Sequence, residues 1–125
     1  MPNLSAIEIK AFVPARDFEL SRRFYAALGF EIPWTQGGLA YVRHGSTSFL
    51  LQDFFRREHA ENFVMHLLVE DVDAWWAHAS GLDLDSRFGA KAVPPEDRSW
   101  GIRDFTLIDP SGVLWRIGQN ITTKN

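Results

Sequence analysis

Short runs of alternating and periodic hydrophobic residues follow one another along the chain and predict its elements. Residues 7–13 alternate with period two, which is typical of a strand with one apolar face. Apolar residues then recur at helical spacing over 18–28, between Asp17 as the capping residue and Gly29 as the terminator. Three further strand-like runs, separated by turn-forming residues, follow at 30–34, 39–43 and 49–54. The first half is therefore predicted to be β-α-β-β-β.

The second half repeats this order after a polar connector at 56–62. A strand at 63–70 precedes a helix that begins after Asp71 and ends at Gly81. Residues 94–98, with two adjacent prolines followed by charged residues, are predicted to be a loop. The remaining strands are predicted at 84–93, 102–108 and 113–119, the last two joined by a tight turn at 109–112.

The repeated order predicts a structural duplication within a single domain, 1–125, with modules of approximately 1–56 and 62–125. One short helix cannot cover a whole sheet, so we expect the two sheets to pack edge to edge as one curved mixed sheet. The helices would then lie on its convex side and a cleft on its concave side. The predicted fold class is α+β, and the ligand-binding residues are expected in the cleft.

Composition and charge exclude several classes of function. With 13 basic and 16 acidic residues the chain carries a net charge of −3, the wrong sign for a protein that binds nucleic-acid phosphates. The absence of cysteine excludes disulfides and thiolate metal sites. Neither a signal peptide nor a membrane span is recognisable. We therefore expect a cytoplasmic protein without nucleic-acid or membrane partners.

Three motifs resemble those of a known superfamily. Residues 21–30 match the pattern S-x-x-F-Y-x-x-L-G-F, residues 100–105 match W-G-x-R-x-F, and residues 109–118 match D-P-x-G-x-L-x-R-x-G. The first pattern is similar to the opening of the vicinal oxygen chelate superfamily, which includes glyoxalase I, extradiol dioxygenases and bleomycin-resistance proteins. The other two resemble the closing motifs of its bleomycin-resistance branch.

This resemblance implies the glyoxalase/bleomycin-resistance fold and, as in antibiotic-resistance proteins of that branch, the sequestration of a small molecule without turnover. It also implies a homodimer, because such proteins complete their clefts from two subunits. Pro14, after the first predicted strand, would suit a hinge for exchange of N-terminal arms between subunits. A purely structural dimer or a partner-binding module is the alternative outside this class.

The superfamily's ligand positions bear on whether the protein holds a metal. Matching the motifs places these positions on Glu8, on or near Val64, and on Arg116, and only the first can bind a divalent ion. No cofactor is therefore expected, and Arg116 is predicted to replace the metal as a fixed charge paired with Glu8. His66 keeps an alternative open, a metal-dependent lyase, isomerase, transferase or dioxygenase whose divalent metal is held by Glu8, His66 and one more acceptor. A hydrogen-bonded, partly buried imidazole is the other interpretation of His66.

Seventeen aromatic residues are many for a chain of this size, and rings outside the core can line a pocket for flat or cationic ligands. The predicted ligand is accordingly a small aromatic or cationic molecule. Trp100 is favoured because it lies in a polar, proline-rich loop. One of Trp75 and Trp76 is expected to pack on the convex side, leaving the other for a subunit contact. The predicted ligand-binding residues are Glu8, Phe12, Trp34, Phe49, His66, Trp100, Arg103, Phe105 and Arg116, with rim carboxylates from Asp53, Glu96, Asp97 and Asp104.

Overall fold

The computed structural model describes residues 1–121, and the last four residues of the predicted second module lie outside this range. The strands of the described range are β1 Phe12–Pro14, β2 Glu31–Gln36, β3 Leu39–His44, β4 Thr47–Gln52, β5 Val64–Leu68, β6 Lys91–Asp97, β7 Ile102–Ile108 and β8 Leu114–Asn120. Its helices are α1 Phe18–Leu28, α2 Arg57–Glu61, α3 Val72–Ser80 and α4 Leu84–Phe88. Apart from the short helices α2 and α4, this is the predicted β-α-β-β-β order in both halves.

The strands form two four-stranded sheets with equivalent topology. The first has the order β1-β4-β3-β2 and the second the order β5-β8-β7-β6. In each sheet the first strand of the module pairs in parallel with the last, and the other pairs are antiparallel. The matching order confirms the predicted α+β fold of two similar modules. Within residues 1–121, no strand of one sheet is hydrogen-bonded to a strand of the other.

The two main helices begin and end where local sequence signals predict. The carboxylate of Asp17 accepts a hydrogen bond from the backbone N–H of Leu20 at 3.1 Å, and Asp71 caps α3 in the same way through Ala74 at 3.0 Å. Gly29 ends α1 with a φ of 116°, a conformation that glycine adopts without steric cost. These signals set where α1 begins and ends and where α3 begins.

Residues 84–93, predicted as a strand, are divided between α4 and β6. Leu84 and Phe88 lie four residues apart and are both buried, which is the spacing of a helix face. Gly89 follows in the left-handed region, with a φ of 69°, and ends this short helix. The strand prediction was wrong here because one helical turn offers too few residues to show its period.

The predicted loop at 94–98 is also wrong, because its first four residues belong to β6. β6 is an edge strand, and its pairing with β7 is irregular between Val93 and Glu96. The two prolines of the strand, Pro94 and Pro95, occupy this irregularity, where their missing N–H groups interrupt no regular ladder.

The N-terminal strand is much shorter than predicted. Only Phe12–Pro14 pair regularly, in parallel with Leu50–Gln52. Going back from Phe12 in this register, the partner strand begins at Thr47, so the chain before residue 9 has no strand beside it. Ile7 is accordingly 92% exposed, and Ile9, opposite the first residue of that strand, is 96% exposed. We refer to residues 1–11 as the N-terminal arm.

Both sheets contribute to one hydrophobic core. Trp115 of β8 lies 5.3 Å from Phe49 of β4 and 5.7 Å from Tyr25 of α1, measured between ring centroids. On the second module, Trp76 of α3 packs edge-to-face on Phe105 at 5.2 Å, as predicted for one of the two adjacent tryptophans. No helix within residues 1–121 has the length and apolar character needed to cross a membrane.

A buried polar network also joins the two halves. The hydroxyl of Tyr25 in α1 donates to the carboxylate of Asp109 at 2.5 Å and accepts from the indole N–H of Trp115 at 2.8 Å. The other carboxylate oxygen of Asp109 accepts from the backbone N–H groups of Ser111 and Val113 at 2.8 and 3.0 Å. Burial raises the pKa of Asp109, although these donors oppose the shift. The turn between β7 and β8 is thereby tied to the first module.

Candidate ligand-binding surfaces

Each sheet turns one face to the shared core and the other to solvent. In β4, for example, Phe49 and Leu51 are buried, whereas the intervening positions are partly exposed. In β7, Phe105 and Leu107 point to the core and Thr106 to the other side. We call the solvent-facing sides the open faces of the first and second sheets.

Four side chains form a continuous row across the open face of the first sheet. Strand register places Phe12 beside Leu50, Leu50 beside Tyr41, and Tyr41 beside Trp34. Phe12 is 47% and Trp34 is 46% exposed. The rings of Trp34 and Tyr41 are stacked, with centroids 6.0 Å apart and planes 24° from parallel. This aromatic row is a flat apolar strip open to solvent.

Two charged residues of the N-terminal arm, Glu8 and Lys10, lie beside the aromatic row. The ammonium group of Lys10 lies 5.1 Å from the ring centroid of Tyr41 and forms an ion pair with Glu8. The hydroxyl of Ser48 donates to the same carboxylate at 3.2 Å. The hydrogen bond from Lys10 lowers the pKa of Glu8. Glu8, predicted as a ligand-binding residue, therefore lies next to the aromatic row, and its carboxylate is paired with Lys10.

The open face of the second sheet carries a charged cluster. Asp104 is only 1% exposed, and its two carboxylate oxygens accept from Arg98 Nε at 2.8 Å and from Arg116 Nη1 at 3.2 Å. Gly118, opposite Asp104 in β8, leaves room for it, because a Cβ there would lie 2.9 Å from the Cβ of Asp104. We call Arg98, Asp104 and Arg116 the Arg–Asp–Arg cluster. Arg98 Nη1 also donates to the carboxylate of Glu96 at 3.3 Å, so two carboxylates balance the two guanidinium groups on this surface.

His66 lies beside this cluster. It is exposed in β5 and is paired in register with Arg116. The predicted ion pair between Arg116 and Glu8 is not formed within the chain, since Arg116 contacts Asp104 and Glu8 contacts Lys10. Sequence reasoning placed Asp104 at the rim and did not identify Arg98 as its partner. Only the pairing of β7 with β8 shows that Asp104 and Arg116 are neighbours, and the sequence does not indicate that register.

Three predicted ligand-binding residues do not lie on an open face. Phe49 and Phe105 are both buried in the shared core, since strand alternation turns them toward the helices. Arg103 also points to the helix side, where it donates to Asp73 of α3 at 3.0 Å and to Asp97 at 3.1 Å. The structure thus places these three side chains away from the open faces. The sequence offered no signal for which side of each strand the helices would cover.

The other predicted residues remain accessible. Phe12 and Trp34 belong to the aromatic row, to which the structure adds Tyr41 and Leu50. Trp100 is largely exposed in the turn between β6 and β7. It is separate from the aromatic row in sequence and sheet, and its role in binding stays a prediction.

Comparison with known families agrees with the fold of two similar modules. The profile of the Glyoxalase/Bleomycin resistance protein/Dioxygenase superfamily matches residues 8–117, which is most of the chain. The chain belongs to this superfamily. The match covers both modules, including Glu8 at one end and Arg116 at the other.

Individual superfamily members resemble the chain over nearly its whole length. A bleomycin resistance protein of Klebsiella pneumoniae is 29% identical over 114 residues, covering 86% of this chain and 88% of that protein. The crystal structure of a bleomycin resistance determinant encoded on the transposon Tn5 superposes with a TM-score of 0.80 at 24% identity, covering 92% and 98% of the two chains. TnmS3, an antibiotic binding protein from Streptomyces sp. CB03234, is 28% identical with a TM-score of 0.70, covering 93% and 98%.

The superfamily's dioxygenases and glyoxalases raise the question of a divalent metal, and the residues of this chain do not fit one. Within residues 1–121, no three His, Asp or Glu side chains converge as a metal site requires. Of the candidate ligands, Glu8 is paired with Lys10, and His66 lies beside the permanent cation of Arg116. A divalent ion near His66 would be repelled by that guanidinium group.

Proposed function

We propose that this superfamily member binds and sequesters a small aromatic or cationic molecule without chemical turnover. The observation that supports this most is the aromatic row, an open strip of three rings and a leucine in a domain that has a sufficient core without them. Its relatives include a bleomycin resistance protein and an antibiotic binding protein. A binding role accounts for exposed rings that folding alone does not require.

The row suits a planar ligand for two physical reasons. Trp34 and Tyr41 offer nearly parallel ring planes, on which a flat heteroaromatic group can stack with burial of apolar area. Lys10 already lies near the Tyr41 ring, so this surface accepts positive charge. A ligand ammonium group that displaced Lys10 could make the same contact and pair with Glu8.

Replacing Trp34 with alanine should weaken ligand binding at least about tenfold, because it removes half of the stacked pair at one end of the row. Bleomycin, the ligand named for several superfamily members, is the probe, and its affinity is measured by isothermal titration calorimetry in the presence of EDTA. Trp34→Phe is the matched control and should retain most of the affinity, since a ring remains. Equal affinities for wild type, Trp34→Ala and Trp34→Phe would rule out the row as the binding surface.

We also propose that binding needs no metal and that the protein acts in the cytoplasm. The lack of fit between the candidate ligands and a divalent ion supports the first proposal. Native mass spectrometry of gently purified protein tests it, because the mass of each subunit reports a bound ion directly. A stoichiometric divalent ion would contradict metal independence and favour the metal-dependent alternative.

The N-terminal arm supports a further proposal, that the protein is a homodimer. Leu4, Ile7 and Ile9 are nearly fully exposed, and Val64 and Leu68 are half-exposed on the edge strand β5. Exposed apolar residues on a segment without a neighbouring strand favour a partner that supplies one. A second copy of the chain provides the same arm and the same edge, so a symmetric contact covers both.

The double substitution Ile7→Asp and Ile9→Asp should convert the dimer into a monomer, because it places charge on the apolar side of the arm. Size-exclusion chromatography with light scattering measures the mass. The matched control, Asn3→Asp with Ser5→Asp, adds the same charge at polar positions of the arm and should remain dimeric. A wild type that is monomeric at high micromolar concentration, or a double variant that stays dimeric, contradicts the proposed role of the arm.

A further inference from the structure

A groove lies along the seam between the two modules, away from the aromatic row and the Arg–Asp–Arg cluster. One side is the turn that joins β3 to β4, and the other is the end of β5 with the start of α3. Its volume is about 470 Å³, and an adjoining pocket of about 270 Å³ shares three of its residues. These sizes suit a small molecule. The shared residues are His44, Ala74 and Trp75.

Trp75 forms the wall of this seam groove. Its neighbour Trp76 packs on Phe105 under the sheet, whereas the half-buried Trp75 ring lies between two imidazoles, 5.1 Å from His44 and 6.4 Å from His78. A nitrogen of His78 is 2.9 Å from the carbonyl oxygen of Leu28 at the end of α1, which holds this imidazole in place. The wall is therefore a fixed aromatic surface built from both modules.

The groove carries negative charge on its second side. Glu70 and Asp71 line it, and no lysine or arginine does. Within residues 1–121, neither carboxylate takes part in an ion pair. One oxygen of Asp71 caps α3 through Ala74, and its second oxygen has no such bond. An aromatic wall beside two unpaired carboxylates is the arrangement that recognises an organic cation.

We propose that the seam groove is a second small-molecule site, for a planar aromatic amine. The ring of the ligand lies against Trp75, and its ammonium group faces Glu70 and Asp71. This site shares no residue with the aromatic row, so it does not depend on the function proposed for that row.

Tryptamine, an indole with a primary ammonium group, is the probe. The chain has four histidines, so the imidazole Cε1–H signals in a proton NMR spectrum report the location of binding. Each signal is assigned from a single His→Gln variant, and the titration is run at constant pH. We expect tryptamine to shift the signals of His44 and His78 and to leave those of His59 and His66 in place. Indole-3-propionate, with the same ring and a carboxylate, should shift none of them.

Three substitutions distinguish binding in the seam groove from binding on the aromatic row. Glu70→Gln should weaken tryptamine binding about threefold to fivefold, as expected for the loss of one partly screened charge contact. Glu58→Gln, which removes an exposed carboxylate outside the groove, should have no effect. Trp34→Ala should also leave the tryptamine shifts unchanged even though it weakens bleomycin binding.

Four outcomes would overturn the proposal. The first is that the His44 and His78 signals do not respond to tryptamine. The second is that indole-3-propionate shifts them equally, and the third is that Glu70→Gln binds tryptamine as wild type does. The fourth is loss of tryptamine binding in Trp34→Ala, which would assign the amine to the aromatic row and leave the proposed function intact.

Discussion

Replacing Asp109 with alanine should lower the free energy of unfolding by about 3–4 kcal/mol. The substitution removes the acceptor of three buried donors, the Tyr25 hydroxyl and the backbone N–H groups of Ser111 and Val113. Each donor left without a partner in the interior costs about 1–3 kcal/mol, partly offset because no buried carboxylate remains to be desolvated. The loss also removes the hydrogen bond between the Asp109 carboxylate and Tyr25, one of those that join the β7–β8 turn to α1.

Chemical denaturation followed by tryptophan fluorescence measures this change. Asp85→Ala is the matched control, because Asp85 is an exposed aspartate whose salt bridge to Lys91 is open to solvent. Its removal should change the free energy of unfolding far less than Asp109→Ala does. Similar losses in the two variants would show that the buried network does not hold the modules together.

The protein should also lose stability steeply at alkaline pH because of Tyr25. Burial, and then the nearby charge of Asp109, raise the pKa of Tyr25 well above its ordinary value of 10.0. The folded state therefore keeps its phenol proton where the unfolded chain releases it. A raised folded-state pKa contributes stability that is complete below pH 10 and is lost as the pH rises toward the folded value. The free energy of unfolding should fall by up to about 1.4 kcal/mol per pH unit above pH 10 from this group.

Urea titrations between pH 8 and pH 11 measure this slope. Lysine side chains also titrate in that range, so the comparison is with Tyr25→Phe, which lacks the buried phenol and keeps the other groups. The variant should be less stable at pH 8, because Trp115 loses its acceptor and Asp109 a donor. Above pH 10 its curve should be shallower than that of wild type. Parallel curves would mean that Tyr25 ionises as easily in the folded protein as in the unfolded chain.

These two predictions concern a network that also places the ligand-binding surfaces. Tyr25 belongs to the first module and Trp115 to the second, so their hydrogen bond helps to set how the two open faces are oriented. A substitution there is expected to reduce ligand binding indirectly, through stability. The Trp34 substitutions differ because Trp34 is half-exposed and contributes little to the core.

The main helices and most hairpins could be predicted because their determinants lie within a few residues of one another. Asp17 and Gly29 delimit α1, and the strand predicted at 102–108 is β7 as observed. The same local reasoning failed where tertiary packing decided the outcome. Residues 84–88 became helical because their apolar positions face the core, and the first eight residues of the arm have no strand beside them because β4 begins at Thr47.

The candidate surfaces could be predicted only in part. Alternation indicates that a strand has two faces, but it does not indicate which face the helices cover. Phe12 and Phe49 are the same residue type in paired strands, yet one belongs to the aromatic row and the other to the core. Arg116 was recognised as a cation that opposes a metal, whereas its partner Asp104 depended on the pairing of β7 with β8.

The sequence by itself determined the repeated β-α-β-β-β order, the family resemblance and the absence of a conventional metal ligand at Arg116, since these depend on residue identity and short-range spacing. Only the tertiary structure decided which rings are exposed, which charges are paired and where the seam groove lies. The physical reason is that burial and ion pairing depend on residues far apart in the chain, such as Tyr25 and Asp109 or His44 and Trp75. Their contacts arise only when the two modules pack around a common core.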